Sequence, residues 1–300
     1  MSIKIISAKK LSASKDDLIA SGTSIIDDDT SADACFLLCC LFRQVSSLLE
    51  SQASDRKVVK QNEALDSNYA PPSWINKWAK SSQKNGFCYE LCDRSVGILF
   101  DDRTQVIMDA RAQQAIYFDE NNTRRHFRLN NWPDDLKQKQ SLFESFIKRR
   151  SEYTVSPTHS SADLEFVPRL RLWRMTSSAL IMQLIDGTVQ VNYLNDHTKM
   201  VFAPALNSVS LIDTKRNIRT YRFQLLEKYG CNKDLFNRVR FAKRLLEMLI
   251  LENDDCINHL SQDGYELRRC ASLPARLSDL SGMGSHEMLV LAWLQKYMGK

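Results

Sequence analysis

The chain repeats itself, and that repeat constrains the fold more than any single motif does. Sliding the sequence by 93 or 94 residues sets Leu91 against Leu184, Asp93 against Asp186, and Ser95-Val96 against Thr188-Val189. The same shift sets Tyr117-Phe118-Asp119 against Leu211-Ile212-Asp213, and Phe127-Arg128-Leu129 against Tyr221-Arg222-Phe223. In each copy short β-prone runs alternate with Asp, Asn and Gly turn residues. The first copy reads as strands at 87–91, 95–100, 104–108, 115–118 and 125–129. A helix follows Pro133, with Leu136, Leu142, Phe143, Phe146 and Ile147 as its apolar stripe, and runs to about Arg150. The second copy reads as strands at 179–184, 188–194, 198–202, 208–212 and 219–223, then a helix from Lys233 to Leu251. The predicted class is α+β: two repeated units, each a curved antiparallel β-sheet of about six strands followed by one long α-helix. One helix covers one face of a sheet, so the other face needs a partner, and the second copy is the partner at hand. The expected arrangement is a pseudo-twofold pair with a cleft where the sheets meet.

The flanks divide the remaining chain. Residues 1–33 are polar, with Asp27-Asp28-Asp29, and read as disordered. Residues 34–72 read as an N-terminal cap helix and a linker. Phe36, Leu37, Cys40, Leu41, Leu48 and Leu49 recur at helical spacing behind Asp33 as N-cap, and the linker ends in Pro71-Pro72. The first unit is 73–150, an inter-unit linker 151–170, and the second unit 171–251. Residues 252–300 match neither copy. They contain one short amphipathic run, Met288 to Met298, which either docks on the body or binds something else.

Composition narrows the function. A formal net charge of +5 and a pI of about 8.7 suit an anionic partner. No Lys/Arg run is long enough for a nucleic-acid stripe. The longest apolar run, Ala34 to Phe42, is half of what a membrane span needs, and the N-terminus lacks the apolar core of a signal peptide. The eight cysteines form no CxxC pair and no disulfide framework. Cys88 and Cys92 read as lying on one face of a strand. The expectation is buried reduced thiols, hence cytoplasm or nucleus. Nine glycines make neither GxGxxG nor a Walker loop, and HRD, DFG, VAIK, HExxH and GxSxG are all missing. Asp93 and Asp186 are equivalent turn residues, explained by hairpin chemistry. No catalytic residue, metal ligand or cofactor is expected.

One hairpin stands out, Gly187 to Val201. Thr188, Val189, Val191 and Tyr193 favour a strand, Asn195-Asp196 a turn, and the next strand carries His197 and Lys199 at its entrance. Read as strand residues two apart, these side chains share a face, and two nitrogen donors side by side suit a phosphate. Taken alone, they read as ordinary exposed residues beside a turn.

These residues resemble the two polo boxes of polo-like serine/threonine kinases, without the kinase domain. The resemblance rests on Trp74-Ile75-Asn76-Lys77-Trp78, on Gly86 to Asp102, on Asp186 to Asn192, on Asp196-His197-Thr198-Lys199, on Arg219 to Phe223, and on Tyr229-Gly230-Cys231. It covers roughly residues 34–251. It implies a module that binds phosphoserine or phosphothreonine peptides, preferring Ser-phosphoSer/Thr-Pro, in the cleft between the boxes. The peptide would pair with an edge strand of the first box, with His197 and Lys199 holding the phosphate. Trp78 would contact the residue before it, and Asn192 would line the groove. The competing readings are core packing for Trp78 and a satisfied strand amide for Asn192, while Trp74 reads as a core or interface residue rather than a ligand contact. Thr154 and Val155 stand where two leucines are common, and Leu194 where an aromatic is common, so ligand preference is expected to differ. The family also implies a kinase domain, in cis or in trans, and targeting to centrosome, kinetochore and midzone. The partners implied are Ser/Thr-phosphorylated proteins, with no nucleic acid and no membrane. The alternative is a phosphate-independent scaffold or dimerisation module, as in divergent polo boxes.

Overall fold

The computed structural model describes residues 20–23, 28–81, 86–148, 167–252 and Cys256. Two antiparallel sheets form the body. The first box is a six-stranded meander of β2 (Ile75–Ser81), β3 (Gly86–Leu91), β4 (Val96–Phe100), β5 (Gln105–Met108), β6 (Gln114–Phe118) and β7 (Arg124–Arg128), followed by helix α2 (Lys137–Lys148). The second box repeats it with β8 (Leu170–Met175), β9 (Ala179–Leu184), β10 (Val189–Tyr193), β11 (Lys199–Ala203), β12 (Ser208–Ile212) and β13 (Ile218–Arg222), followed by α3 (Phe223–Tyr229) and α4 (Lys233–Leu251). The repeat predicted this order. It did not predict the first strand of either box. In β2 and β8 a bulge, between Ile75 and Lys77 and between Leu170 and Leu172, breaks the two-residue period that marks a strand in a sequence.

Three apolar clusters explain why the boxes pair. Strand residues alternate sides, so β3 sends Phe87, Tyr89 and Leu91 toward the other box and Cys88 toward α2. Between the sheets these meet Leu170, Trp173, Leu180, Met182 and Leu184 of the second box. The outer face of the first sheet is covered by α2 through Leu142 and Phe143, and by Leu136 of the turn before it. The outer face of the second sheet lies under α4 and under α1 (Asp28–Glu50), whose Cys35, Leu38, Leu41, Val45 and Leu48 join that core. Gly97 makes room for one inter-box contact. A Cβ there would overlap the Tyr89 ring, whose hydroxyl instead accepts a hydrogen bond from the Leu170 N–H at 2.9 Å.

Several expectations need correction. The segment 1–33 is not wholly unstructured: β1 (Ala20–Thr23) pairs antiparallel with β8, and α1 begins at Asp28, ahead of the Asp33 cap. The second box carries two helices, because Gly230 at φ +82° breaks α3 from α4 and Asn232 caps the new one. Cys92 lies beyond β3, at Pro72, while Cys88 faces α2, so they share no face. The expectation of reduced thiols fails at Cys35 and Cys256, which form a disulfide joining α1 to the segment after α4. Their separation of 221 residues hid the pairing; only the packing of α1 on α4 brings them together. Among the described residues no helix is long and apolar enough to cross a membrane. The readings of 151–166 and 257–300 lie outside the described residues.

Candidate functional site

The hairpin β10–β11 faces the first box. Val189 and Val191 point into the helix-covered core, so Gln190 and Asn192 point between the sheets. Gln190 makes a paired contact with the first box: its Oε1 accepts from Ile75 N–H at 2.7 Å, and its Nε2 donates to Ile75 O at 2.8 Å. The same Nε2 reaches Asn192 Oδ1 at 2.7 Å. Asn192 is buried, and among the described residues its Nδ2 has no hydrogen-bond partner. A buried amide donor without a partner is costly to the fold, and such groups concentrate where a ligand completes the set.

Lys199 opens β11 and crosses the same boundary. Its Nζ donates to Ile75 O at 3.2 Å and to Asn76 O. The β2 bulge at Asn76 frees these carbonyls from the ladder. Among the described residues no carboxylate pairs with Lys199. Burial, and then the nearby Arg216 guanidinium, push its ammonium down to about 8. Arg216 belongs to the β12–β13 turn, sits at φ +66°, and is exposed. Sequence reasoning missed it, although Lys215-Arg216 after Asp213 marks a basic turn.

His197 is exposed and is not a strand residue. It sits at φ +57°, in the left-handed region, one residue before the turn closes. The two-apart strand argument therefore does not place it beside Lys199; the turn does. Its N–H donates to Tyr193 O at 3.0 Å, and Tyr193 N–H donates to Thr198 O at 2.9 Å. Asp196 Oδ1 accepts from Thr198 N–H at 3.0 Å and from its hydroxyl at 2.7 Å. From α4, Arg238 donates to Asp196 Oδ2 at 2.5 Å and to Thr198 Oγ1 at 2.6 Å. Partial burial works against the Asp196 carboxylate, but Arg238 and Thr198 hold its carboxyl down to about 2.

Trp78 of β2 is half-buried. Its ring stacks on Phe87 at 5.9 Å and 4°, and Phe87 stacks on Trp173 of the second box at 4.7 Å. Trp78 thus ends an aromatic column that crosses the boxes, with part of its surface open. Trp74 contributes a backbone carbonyl to Cys92 N–H at 2.9 Å. Leu194 is half-buried, and its N–H donates to Ser178 O at 2.9 Å, which ties the turn to the preceding one. Thr154 and Val155 lie outside the described residues. The structure therefore pairs Asn192 with Lys199 across the hairpin, sets Lys199 on Ile75 and Asn76, two residues from Trp78 in β2, and seats His197 in the adjoining turn.

The sheet order adds one fact. β8 has β1 on its outer side, whereas β2 is an edge strand. An edge strand presents unpaired N–H and C=O groups that an extended chain can match.

Comparison with known proteins agrees with this fold. Residues 83–140 and 176–239 match the family model of the POLO box duplicated region. Over 214 residues the chain is 37% identical to the serine/threonine-protein kinase PLK1 of Xenopus laevis, covering 70% of this chain and 36% of that kinase. Over 221 residues it is 33% identical to the kinase plk-1 of Caenorhabditis elegans, covering 70% and 34%. The chain thus spans about a third of the length of these relatives. Among solved structures, the polo-box domain of budding yeast Cdc5 superposes with a TM-score of 0.56 at 21% identity, covering 77% of this chain and 97% of that one. The same domain in complex with an Spc72 phosphopeptide gives 0.58 at 20% identity, covering 80% and 90%.

Proposed function

From the premise that this chain belongs to the polo-box family, we propose that it captures Ser-phosphoSer/Thr-Pro segments between its two boxes. The observation that carries this reading is Lys199. A half-buried ammonium, whose partners among the described residues are the carbonyls of Ile75 and Asn76, stands beside an edge strand. A phosphate brings a charge of about −1.5 to −2 and three acceptor oxygens. It is the ligand that best repays bringing Lys199, Arg216 and His197 together. The unpartnered Asn192 amide and the open part of the Trp78 ring supply a polar and an apolar contact for the peptide. β2 supplies backbone pairing. Thr154 and Val155, and Leu194, belong to the same groove by family resemblance.

The chain carries no kinase motif, so its output is placement. It would bring a kinase domain, in cis or in trans, to proteins already phosphorylated, in the cytoplasm or nucleus and at centrosome, kinetochore and midzone. A fluorescence titration with a Ser-phosphoThr-Pro peptide and its unphosphorylated twin tests this. Saturable binding of the first, at least about tenfold tighter than the second, is expected. Equal affinities would reject phosphate reading and leave the phosphate-independent scaffold.

A further inference from the structure

We propose that Arg238 is a positioning residue for phosphate recognition, holding the left-handed His197 turn in its binding geometry from helix α4 through Asp196 and Thr198. This rests on the phosphate reading above and adds to it a residue that never touches the ligand.

The contacts converge on one turn of six residues, Tyr193 to Thr198. Arg238 Nη2 donates to Asp196 Oδ2 at 2.5 Å, and Nη1 to Thr198 Oγ1 at 2.6 Å. Its backbone carbonyl accepts from the Tyr193 hydroxyl at 2.8 Å, and its guanidinium lies 4.9 Å from the Tyr193 ring centre. The third donor, Nε, goes to Asp234 of its own helix at 2.9 Å. The Thr198 hydroxyl proton is committed to Asp196, which leaves its lone pair for Arg238. The circuit therefore has one arrangement, and it fixes the residues on both sides of His197. A left-handed residue costs roughly 1–2 kcal/mol by itself, so surrounding structure must hold it. A guanidinium suits this task because its planar fork grips two oxygens at fixed spacing. A solvent-open cavity of about 210 Å³, lined by Thr198, Leu211, Asp213, Asn217, Arg219, Asp234 and Arg238, adjoins the circuit. It provides a route by which a small cation can reach the place of a deleted side chain.

The test compares the full chain with Arg238→Ala, Arg238→Lys and Asp234→Asn. Three quantities are read: affinity for the phosphorylated and unphosphorylated peptides, the His197 and Thr198 amide signals of the ligand-free protein by NMR, and the thermal midpoint. Arg238→Ala is expected to weaken phosphopeptide binding about tenfold while the unphosphorylated peptide is unaffected. The His197 amide signal is expected to move, and millimolar methylguanidinium to restore both signal and affinity. Arg238→Lys keeps the charge but cannot grip both oxygens, so it should fall between. Asp234→Asn leaves the turn contacts in place and should change affinity by less than about twofold.

An unmoved His197 amide with unchanged phosphopeptide affinity in Arg238→Ala would overturn the proposal. So would an equal loss for both peptides that tracks the thermal midpoint and is not restored by methylguanidinium. If Arg238→Ala does not fold, Arg238→Lys carries the same comparison. A wild-type chain indifferent to phosphate would refute the functional reading instead. The ligand-free amide spectrum still decides whether Arg238 sets the turn.

Discussion

Asp102-Arg103-Thr104-Gln105 in the first box and Asp196-His197-Thr198-Lys199 in the second fill the same turn, between the third and fourth strands of their boxes. The backbones agree: Arg103 sits at φ +66° and His197 at φ +57°. Asp102 Oδ1 accepts from Thr104 N–H at 3.1 Å and from its hydroxyl at 2.7 Å, as Asp196 does from Thr198. A cation from the following helix closes each turn. Lys139 of α2 reaches Asp102 Oδ2 at 2.5 Å and also Thr104 Oγ1, where Arg238 of α4 reaches Asp196 and Thr198. The last residue of each turn then crosses to the other box. Gln105 Nε2 donates to Leu170 O at 3.0 Å, and Lys199 Nζ to Ile75 O at 3.2 Å.

The difference lies in two places. The crossing group is a neutral amide in one box and an ammonium in the other. The strand it reaches is flanked by β1 over Leu172–Met175 in one case, and in the other is β2, which ends its sheet among the described residues. A duplicated scaffold thus supplies two equivalent positions, and under the proposed function side-chain charge and edge access single out the second. The largest effect should follow from removing that charge. His197→Ala with Lys199→Met is expected to weaken phosphopeptide binding by about 100-fold or more, since each charge-assisted bond is worth roughly 1.5–3 kcal/mol. The thermal midpoint should hold, because Lys199 is a burdened cation rather than a core residue. Calorimetric titration together with a melting curve checks both. Retained binding would mean that the two boxes do not differ as their turns suggest.

Much of this comparison was legible in the sequence and part of it was not. The repeat gave the strand order, and β9, β12 and α4 fall on the predicted residues, because alternation and helical periodicity survive wherever each face meets one environment. The placement of Lys199 and Asn192 on neighbouring strands of one hairpin was legible, because turn and strand residues alternate plainly there. The first strands were not, because their bulges break the period. Nor was the left-handed His197, since Asx-turn closure by Thr198 competes with strand geometry and no propensity scale registers it. The cross-box contacts of Gln190 and the Arg238 circuit depend on partners 115 and 42 residues away, and distance in the chain hides such pairings. Asp-x-Thr at 102–104 and 196–198 was the available signal for the shared turn.

The lowered Lys199 pKa gives the next effect, with opposite signs for binding and stability. Above pH about 8 the folded ligand-free chain releases the Lys199 proton, while the unfolded chain keeps it until about the ordinary lysine value of 10.5. The unfolded state then binds more protons, so the Lys199 contribution to stability rises with pH across that window. Phosphopeptide affinity should fall over the same window, approaching about tenfold per pH unit beyond 8 as the ammonium is lost. The phosphate is already fully charged there and adds no slope of its own. Lys199→Met should flatten both curves. Titrations at pH 7, 8 and 9 decide it, and a flat wild-type affinity would show that Lys199 does not hold the phosphate.

A smaller effect is expected from Trp78→Phe, which keeps an aromatic end on the Phe87 and Trp173 column but shortens the open wall. Phosphopeptide affinity should fall about three- to tenfold, in line with an aromatic contact of roughly 0.5–1.5 kcal/mol. The thermal midpoint should change little. A large drop in midpoint would make Trp78 chiefly a packing residue.

Lys139→Met gives the smallest effect on binding and the sharpest control on the comparison. In the first box Lys139 does what Arg238 does in the second: it closes an Asp-x-Thr turn, and its ammonium lies 4.4 Å from the Phe100 ring centre. Partial burial opposes charge on Asp102, but Lys139 and Thr104 still hold its carboxyl below the ordinary value. Methionine keeps the stem packed against Phe100 and Tyr117 while deleting the charge. Because Asp102 is more than half exposed, the stability loss should stay near 1 kcal/mol, read from denaturant unfolding at neutral pH. That loss should shrink as pH falls below the ordinary carboxylate value and Asp102 becomes protonated in both states, since a depressed carboxyl stabilises only above that value. Phosphopeptide affinity should stay within about twofold of the wild type, because the Arg103 turn faces a strand that β1 already covers. A loss of affinity as large as that expected for Arg238→Ala would mean that either turn can act on the site through the shared core, and the two boxes would then be one coupled device.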